Sequence, residues 1–220
     1  MSISQPELRA IVMSSLPDGF LDETMRTLLR ANVSAKSACA TFAETEKRDS
    51  FGHIQRAHFE GAWRGIAARF RGVTASSRKN KKRTQSFTTL RVGPLVITES
   101  AVQFPRIVMP RDAHFRNVLA GPQMDLLDDS PIPPESIFVI FTHANDRYYR
   151  PIFSSVIAPD AGCRYSLVTI PLTERMAELR EEMRDEPGFQ GPDYPEEKIE
   201  EPAAPPLRPN AKKRKTEDAG

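Results

Sequence analysis

The residues best suited to chemistry are basic ones, and they gather in the middle of the chain. Between Gly61 and Thr98 there is no acidic residue, while the same stretch carries nine basic ones. These are Arg64, Arg69, Arg71, Arg78, Lys79, Lys81, Lys82, Arg83 and Arg91. Five of the charges fall within residues 78–83, and such a run repels itself unless an anion relieves it. Nucleic acid is the commonest such anion. Its binding is favoured because each phosphate that a basic side chain neutralises releases counterions.

We therefore predict a basic loop over residues 78–83 that contacts the phosphates of DNA or RNA. The predicted nucleic-acid-binding residues, which include the basic end of the preceding helix, are Arg69, Arg71, Arg78, Lys79, Lys81, Lys82 and Arg83. The alternatives are a solvated connecting loop and a contact with protein or an anionic membrane. Tyr148 and Tyr149, between Arg147 and Arg150, can stack on bases or cover a sheet edge.

Charge is also segregated towards the C terminus. From Glu174 to Glu201, eleven acidic residues stand against four basic ones, a net charge of −7. A basic run then follows at Lys212, Lys213, Arg214 and Lys215. It is similar to a short nuclear-import signal, and it can also add an electrostatic contact. We expect a cytoplasmic location, or a nuclear one if the protein is present in or delivered to a eukaryotic cell. That the acidic segment covers the basic loop is a hypothesis.

Patterns typical of enzymes do not occur in the sequence, which has no P-loop, G-x-S-x-G or H-E-x-x-H motif. His53 and His58 are five residues apart in a predicted helix. Their side chains therefore point in different directions and cannot easily bind the same metal ion. His143 is the best candidate for acid–base work, although it also fits a turn. A polar loop that can hold a divalent cation contains Asp125, Asp128 and Asp129. We expect no cofactor, no metal site and no catalytic residue.

The two cysteines, Cys39 and Cys163, are expected to be buried free thiols. A secreted domain that depends on disulfides usually carries more cysteines, and residues 1–15 lack the basic start and apolar run of a secretory signal. A bridge between the two stays open, because sequence spacing gives no distance. No stretch approaches the ~18 apolar residues of a membrane span.

Residues 1–72 have the apolar spacing of helices. Ser34 is predicted to cap a third, short helix. The longest stripe has steps of three and four and contains Phe51, Ile54, His58, Phe59, Ala62, Trp63, Ile66 and Phe70. This pattern buries His58 and leaves Gln55 and Glu60 largely off the stripe.

After Gly72 the apolar residues no longer recur at helical spacing and instead form short runs typical of β-strands. Short apolar or β-branched runs occupy residues 86–92, 95–98, 104–109, 137–142, 152–158 and 165–170. Most connections lack a helix of crossover length, which favours antiparallel pairing. We predict an α+β fold in which N-terminal helices pack on one face of a mostly antiparallel five- to six-stranded sheet. The parts are a helical region (1–72), the antiparallel β part of the same domain (73–175), a C-terminal helix (174–184), and a disordered Pro-rich acidic tail with a basic end (185–220).

The function predicted from these features is that of a non-enzymatic, nucleic-acid-associated binding protein that uses the basic loop for phosphate contacts. One alternative is a protein-interaction partner, such as an adaptor, an immunity factor or a delivered effector, whose sheet and Pro-rich tail bind another protein. A further alternative is a metal-dependent hydrolase or nuclease that uses His143 and the Asp125–Asp129 group. The sequence makes no prediction about the oligomeric state.

Overall fold

The computed structural model describes residues 4–79, 86–105, 109–110, 116, 119–120, 136–187 and 189. These residues form four helices and six strands. The helices are α1 (Gln5–Ser15), α2 (Phe20–Ala38), α3 (Glu44–Ala67) and α4 (Thr173–Glu182). The strands are β1 (Val73–Lys79), β2 (Ser86–Val92), β3 (Leu95–Ala101), β4 (Ile137–Asn145), β5 (Pro151–Pro159) and β6 (Ser166–Pro171). None of the helices in this part of the chain is both long and apolar enough to cross a membrane.

The six strands form one sheet in the order β1-β2-β3-β4-β5-β6. Four neighbouring pairs are antiparallel, whereas β3 and β4 are parallel, from Leu95 opposite Ile137 to Ala101 opposite His143. The predicted α+β class, with helices first and a mostly antiparallel sheet after them, is confirmed. The sheet is mixed, however, because residues 102–136 are long enough to carry the chain back to the same end of the sheet.

The four helices pack on one face of the sheet, as predicted. Their apolar side chains share one core with alternate residues of β2 to β6, including Ile97, Val139, Phe141, Val156 and Ile170. Burying each such side chain stabilises the fold by about 1.5–3 kcal/mol. On the opposite face Val96, Phe138, Ile140 and Ile157 contact Ala120 and Cys163. Ala120, in the described part of the 102–136 connection, therefore packs on the second face together with Cys163.

The starts of α1 and α2 and the interior of α2 follow from the residues at those positions. Ser4 and Glu7 form a capping box at α1, in which the Ser4 amide donates to the Glu7 carboxylate over 2.8 Å. α2 follows Gly19, whose φ of 74° is a left-handed conformation that glycine adopts without strain. Ser34 lies inside α2, so the predicted third helix is wrong. The segment before Ser34 contains no glycine or proline, and the helix continues unbroken to Ala38.

The strand predictions also differ from the structure in two places. The sequence does not predict β1, because β1 is an edge strand whose residues 74–77 are exposed and carry no apolar alternation. The run 104–109 is not a strand in its described part, where Phe104 and Pro105 form a turn. Cys39 and Cys163 are both buried and neither forms a disulfide, as expected.

The predicted tail lies outside the described residues except for 185–187 and Phe189. In this short part, Glu186 accepts hydrogen bonds from Arg26 and Arg30 of α2 over 3.5 and 3.0 Å. Phe189 packs against the main core. Glu186 and Phe189 thus connect the start of this segment to α2 and to the main core.

Candidate nucleic-acid interface

The basic run begins on a strand. β1 pairs with β2 along its whole length, from Val73 opposite Val92 to Lys79 opposite Ser86, and Arg78 pairs with Phe87. Residues 80–85, among them Lys81, Lys82 and Arg83, lie outside the described residues. The predicted basic loop is therefore the connection of an antiparallel hairpin at the edge of the sheet, together with the last two residues of β1.

Arg69 and Arg71 are not brought together with this connection. They precede Val73, at the opposite end of the seven-residue strand β1, roughly 20 Å from Lys79 at about 3.3 Å per residue. Arg69 also forms an ion pair with Glu23 of α2 over 2.6 Å, while Arg71 is exposed. The sequence places these arginines close to the run along the chain, but the extended strand separates them in space.

The buried face of α3 differs from the predicted stripe. His58 and Ala62 are exposed, whereas Gln55 and Glu60 are buried, so the prediction that His58 is buried is wrong. The inward residues follow the four-residue steps Phe51, Gln55, Phe59 and Trp63. Polar residues fit there because the sheet supplies partners: Asn145 donates to Gln55 over 2.7 Å, and Thr88 donates to Glu60 over 3.4 Å.

Beneath α3 lies a buried ionic cluster that sequence reasoning missed. Glu99 of β3, buried to 6% exposure, lies 3.2 Å from Nε2 of His143 and 3.1 Å from Nε of Arg56. Arg56 also donates to Glu60 over 2.8 Å. The one sequence signal for this cluster is Glu99 itself. It directly follows the apolar run 95–98, at a position where the two-residue period of a strand directs the side chain towards the core.

The two carboxylates of this cluster have shifted pKa values. Burial raises the pKa of Glu99, but the hydrogen bond with His143 and the charges of Arg56 and Arg116 outweigh burial and leave the pKa below 4.5. Burial raises the pKa of Glu60, and Arg56 offsets this only in part. Glu99 is therefore the stable anion of the cluster.

His143 is poorly placed for chemistry on a substrate. Its side chain is 5% exposed and lies under α3, with its ring 6.0 Å from that of Phe59. Its Nδ1 is buried without a hydrogen-bond partner among the described residues. Paired with Glu99 of the neighbouring parallel strand, His143 can join two strands and a helix. The arrangement is that of a buried structural pair.

The described part of the chain contains no group of three His, Cys, Asp or Glu side chains that could hold a metal ion. His53 and His58 are both exposed on α3. Several predicted site residues lie outside the described residues, namely Asp125, Asp128, Asp129, Lys212, Lys213, Arg214 and Lys215.

Tyr148 and Tyr149 have different surroundings. The Tyr149 ring packs on Phe51 with 4.5 Å between centroids, and its hydroxyl donates to Glu44 over 3.3 Å. Tyr148 is 37% exposed, and the guanidinium carbons of Arg147 and Arg150 lie 4.6 and 5.3 Å from its ring centroid. Tyr149 therefore anchors this turn, whereas Tyr148 presents an aromatic ring at the surface.

Comparison of the chain with protein-family models, with curated protein sequences and with solved structures gives no match.

Proposed function

We propose that the chain is a non-enzymatic protein that binds nucleic acid through its phosphates, with residues 78–83 of the β1–β2 hairpin as the contact. The observation that carries this proposal is the register of β1, in which Arg78 and Lys79 are the last residues and pair with Phe87 and Ser86. The basic run thus begins on an antiparallel ribbon at a sheet edge, and β-ribbons of this kind enter the grooves of nucleic acids.

The charge of the hairpin supports the same function. The sequence has no acidic residue between Gly61 and Thr98, so neither strand of the hairpin nor its connection contributes a counter-charge. A phosphate backbone relieves the repulsion within the run, and the released counterions favour binding without any dependence on base sequence. The buried position of His143 under α3 fits a binding role better than acid–base catalysis.

Basic residues at this position have a competing explanation. β1 is an edge strand, and Lys or Arg on an edge strand discourages pairing with a second sheet. Under that explanation the run prevents aggregation and binds no ligand. The two explanations predict different behaviour when the charges are removed.

The test is a salt series of binding to labelled generic DNA and RNA. We expect the variant Lys81→Ala/Lys82→Ala/Arg83→Ala to reduce the slope of log K against log[salt] by about 2–3 units, at up to ~0.9 per phosphate contact. The control variant Arg9→Ala/Arg164→Ala/Arg184→Ala removes three exposed charges elsewhere and should keep the slope.

Two results would refute the proposal. The first is an absence of binding by the wild type at low salt, and the second is an equal loss in both triple variants. Light scattering of a further variant, Arg78→Ala/Lys79→Ala, addresses the edge-strand explanation, under which removing the two cations of β1 causes aggregation while any weak nucleic-acid binding stays unchanged.

A further inference from the structure

The strand β1 forms one edge of the sheet, and among the described strands it pairs with β2 alone. Residues 74–77 of β1 are exposed, so neither face of the strand is covered there by the described part of the chain. The backbone N–H and C=O groups along such an edge can pair with a further strand. An edge of this kind is therefore a surface that suits an extended peptide segment.

The backbone groups of β1 point alternately towards β2 and towards the open edge. The Val73 amide donates to the carbonyl of Phe70 over 3.2 Å, so it is not directed at β2. The pairing of β2 with β3 agrees with this direction. Val92 and Leu95 flank a two-residue turn and form a hydrogen-bonded pair, which leaves Val92 without backbone groups for its other neighbour, Val73.

The direction of Val73 fixes that of the residues after it. Ala75 and Ser77 lie two and four residues further along β1, so their N–H and C=O groups also point to the open edge. Residues 73–77 contain no proline and no charged residue, and their pairing with β2 has no bulge. The other edge strand, β6, has a register shift in its pairing with β5 and ends in Pro171. Residues 73–77 thus offer roughly 17 Å of unprotected edge.

Two exposed arginines border this edge. Arg71 precedes β1 by two residues, and Arg91 of β2 lies directly opposite Thr74, on the same face of the sheet. Neither arginine has an ion pair among the described residues. A residue added opposite Thr74 would lie two strand spacings from Arg91, roughly 10 Å between Cα atoms, which a glutamate and an arginine side chain can span. The charge beside the edge therefore favours an acidic segment.

Charge also decides between the possible occupants of the edge. Pairing of β1 with the β1 of a second copy would bring Arg71 and Arg91 of both copies to one junction, where like charges repel. Nucleic acid would satisfy the arginines, but its phosphates do not match a row of alternating N–H and C=O groups. An extended acidic peptide satisfies both the backbone groups and the arginines.

We propose that the open edge of β1, residues 73–77, binds an extended acidic segment of another protein, which adds a strand to the sheet. The backbone groups of Ala75 and Ser77 hold the segment, and Arg71 and Arg91 select acidic side chains on it. This interaction goes beyond the proposed nucleic-acid contact and does not depend on it.

The test measures fluorescence anisotropy with a labelled peptide of about nine residues in which threonine and glutamate alternate, so that the glutamates share one face of an added strand. We expect Ala75→Pro to weaken binding about tenfold, because it removes an N–H that points to the open edge. Ala75→Thr keeps this N–H and should bind as the wild type does.

The arginines are tested with the same peptide. Arg71→Ala/Arg91→Ala should weaken binding about tenfold and reduce its salt dependence. The control Arg9→Ala/Arg164→Ala removes two exposed charges elsewhere and should bind as the wild type does.

A second experiment leaves the protein unchanged. The same peptide, N-methylated at its central residues, cannot donate backbone hydrogen bonds and should not bind. The urea midpoint of Ala75→Pro shows whether the variant folds, and we expect it to fold because proline at this position leaves the bonds to β2 in place.

Four results would overturn the proposal. One is an absence of peptide binding by the wild type at low salt, and another is equal binding of the methylated and unmethylated peptides. A wild-type dimer in light scattering that Ala75→Pro converts to a monomer would make a second copy the occupant. An equal loss of DNA and peptide affinity in Ala75→Pro would assign the edge to nucleic acid.

Discussion

Glu60 and Glu99 belong to one buried cluster, yet burial affects the two residues differently. Glu99 lies between His143 and Arg56, and its pKa is below its ordinary value. Glu60 has Arg56 and the Thr88 hydroxyl as partners, and burial raises its pKa. The physical difference is the number of positive or donating groups around each carboxylate.

This contrast predicts opposite pH dependences for the two residues. A lowered pKa means that Glu99 stabilises the fold above its unfolded value of 4.5, and that this contribution is lost as the pH falls through the lower folded pKa. The contribution of Glu60 is present below 4.5 and is lost as the pH rises through its raised folded pKa.

We therefore expect Glu99→Gln to lower the free energy of unfolding at pH 7 by about 3 kcal/mol, because it leaves the buried His143 without its carboxylate partner and Arg56 with Glu60 alone. Glu60→Gln should change it by less than about 1 kcal/mol, because an amide still accepts from Thr88. Urea unfolding at pH 7 and pH 4 measures both, and Glu99→Gln should cost less at pH 4. Equal losses at pH 7 would contradict this account.

The partly buried Lys36 leads to a second prediction about the pH dependence of stability. Burial lowers its pKa to about 8 from 10.5, so the folded state binds fewer protons than the unfolded state between these values. Stability due to Lys36 should then rise with pH from about 8 to 10.5. Lys36→Met should remove this rise, on the order of 1–2 kcal/mol after solvent screening. Urea unfolding at pH 7.5 and 10 tests it, and an unchanged rise in the variant would count against a lowered pKa.

Among the elements, α2 shows how local signals compete. Serine is a good N-cap, which makes Ser34 a candidate helix start. The surrounding residues are compatible with a helix, and Ala31 and Ala35 bury themselves on the inner side of α2. Core packing on both sides of Ser34 therefore continues the helix through it.

The position of Ser34 can be tested by one substitution. Within a helix, and exposed, Ser34→Ala should stabilise the protein by a few tenths of a kcal/mol because of the better helix propensity of alanine. A capping serine would instead cost about 1 kcal/mol when replaced. The urea midpoint distinguishes the two, and a clear loss of stability would argue for a helix start at this residue.

On the scale of the whole molecule, the order and direction of the strands determine which residues lie close together. The β1–β2 pair, which ends with Lys79 opposite Ser86, is far along the chain from residues 146–150, but one parallel pairing places both at the same end of the sheet. A fully antiparallel meander of the same strands would send β4 in the opposite direction and leave its turn at the other end. The closeness of these two parts of the chain therefore depends on the parallel pairing of β3 and β4.

The start of the C-terminal segment contacts distant parts of the chain. Glu186 bonds to Arg26 and Arg30, and Phe189 packs on the core. Removing residues 185–220 should therefore lower the free energy of unfolding by about 1–3 kcal/mol, whereas removing 190–220 should leave it unchanged. Urea unfolding of the two truncations measures this, and equal midpoints would show that Glu186 and Phe189 contribute nothing.

The same truncation examines the hypothesis that the acidic segment competes for the hairpin. If it does, removing residues 190–220 should tighten binding to labelled DNA at low salt, because the acidic residues of 193–201 no longer screen the basic run. The basic run 212–215 is lost as well, so a second variant, with these four residues changed to Ala in the full chain, serves as the control. Unchanged affinity after truncation would rule out the competition.

The sequence alone was sufficient for the fold class, the helical N-terminal region, most strands and the segregation of charge. These features depend on local periodicity and composition, which act over a few residues. It was insufficient for β1, an edge strand without apolar alternation, and for Gln55 and Glu60, whose burial needs partners on β4 and β2.

Only the tertiary structure decided how distant segments meet. It separated Arg69 and Arg71 from residues 78–83, paired Glu99 with His143, and placed the Tyr148 turn at the hairpin end of the sheet. Each of these depends on the direction and register of a strand relative to its neighbour. Pairing of this kind is a long-range property, set by which surfaces bury together, and periodicity within one segment carries no information about it.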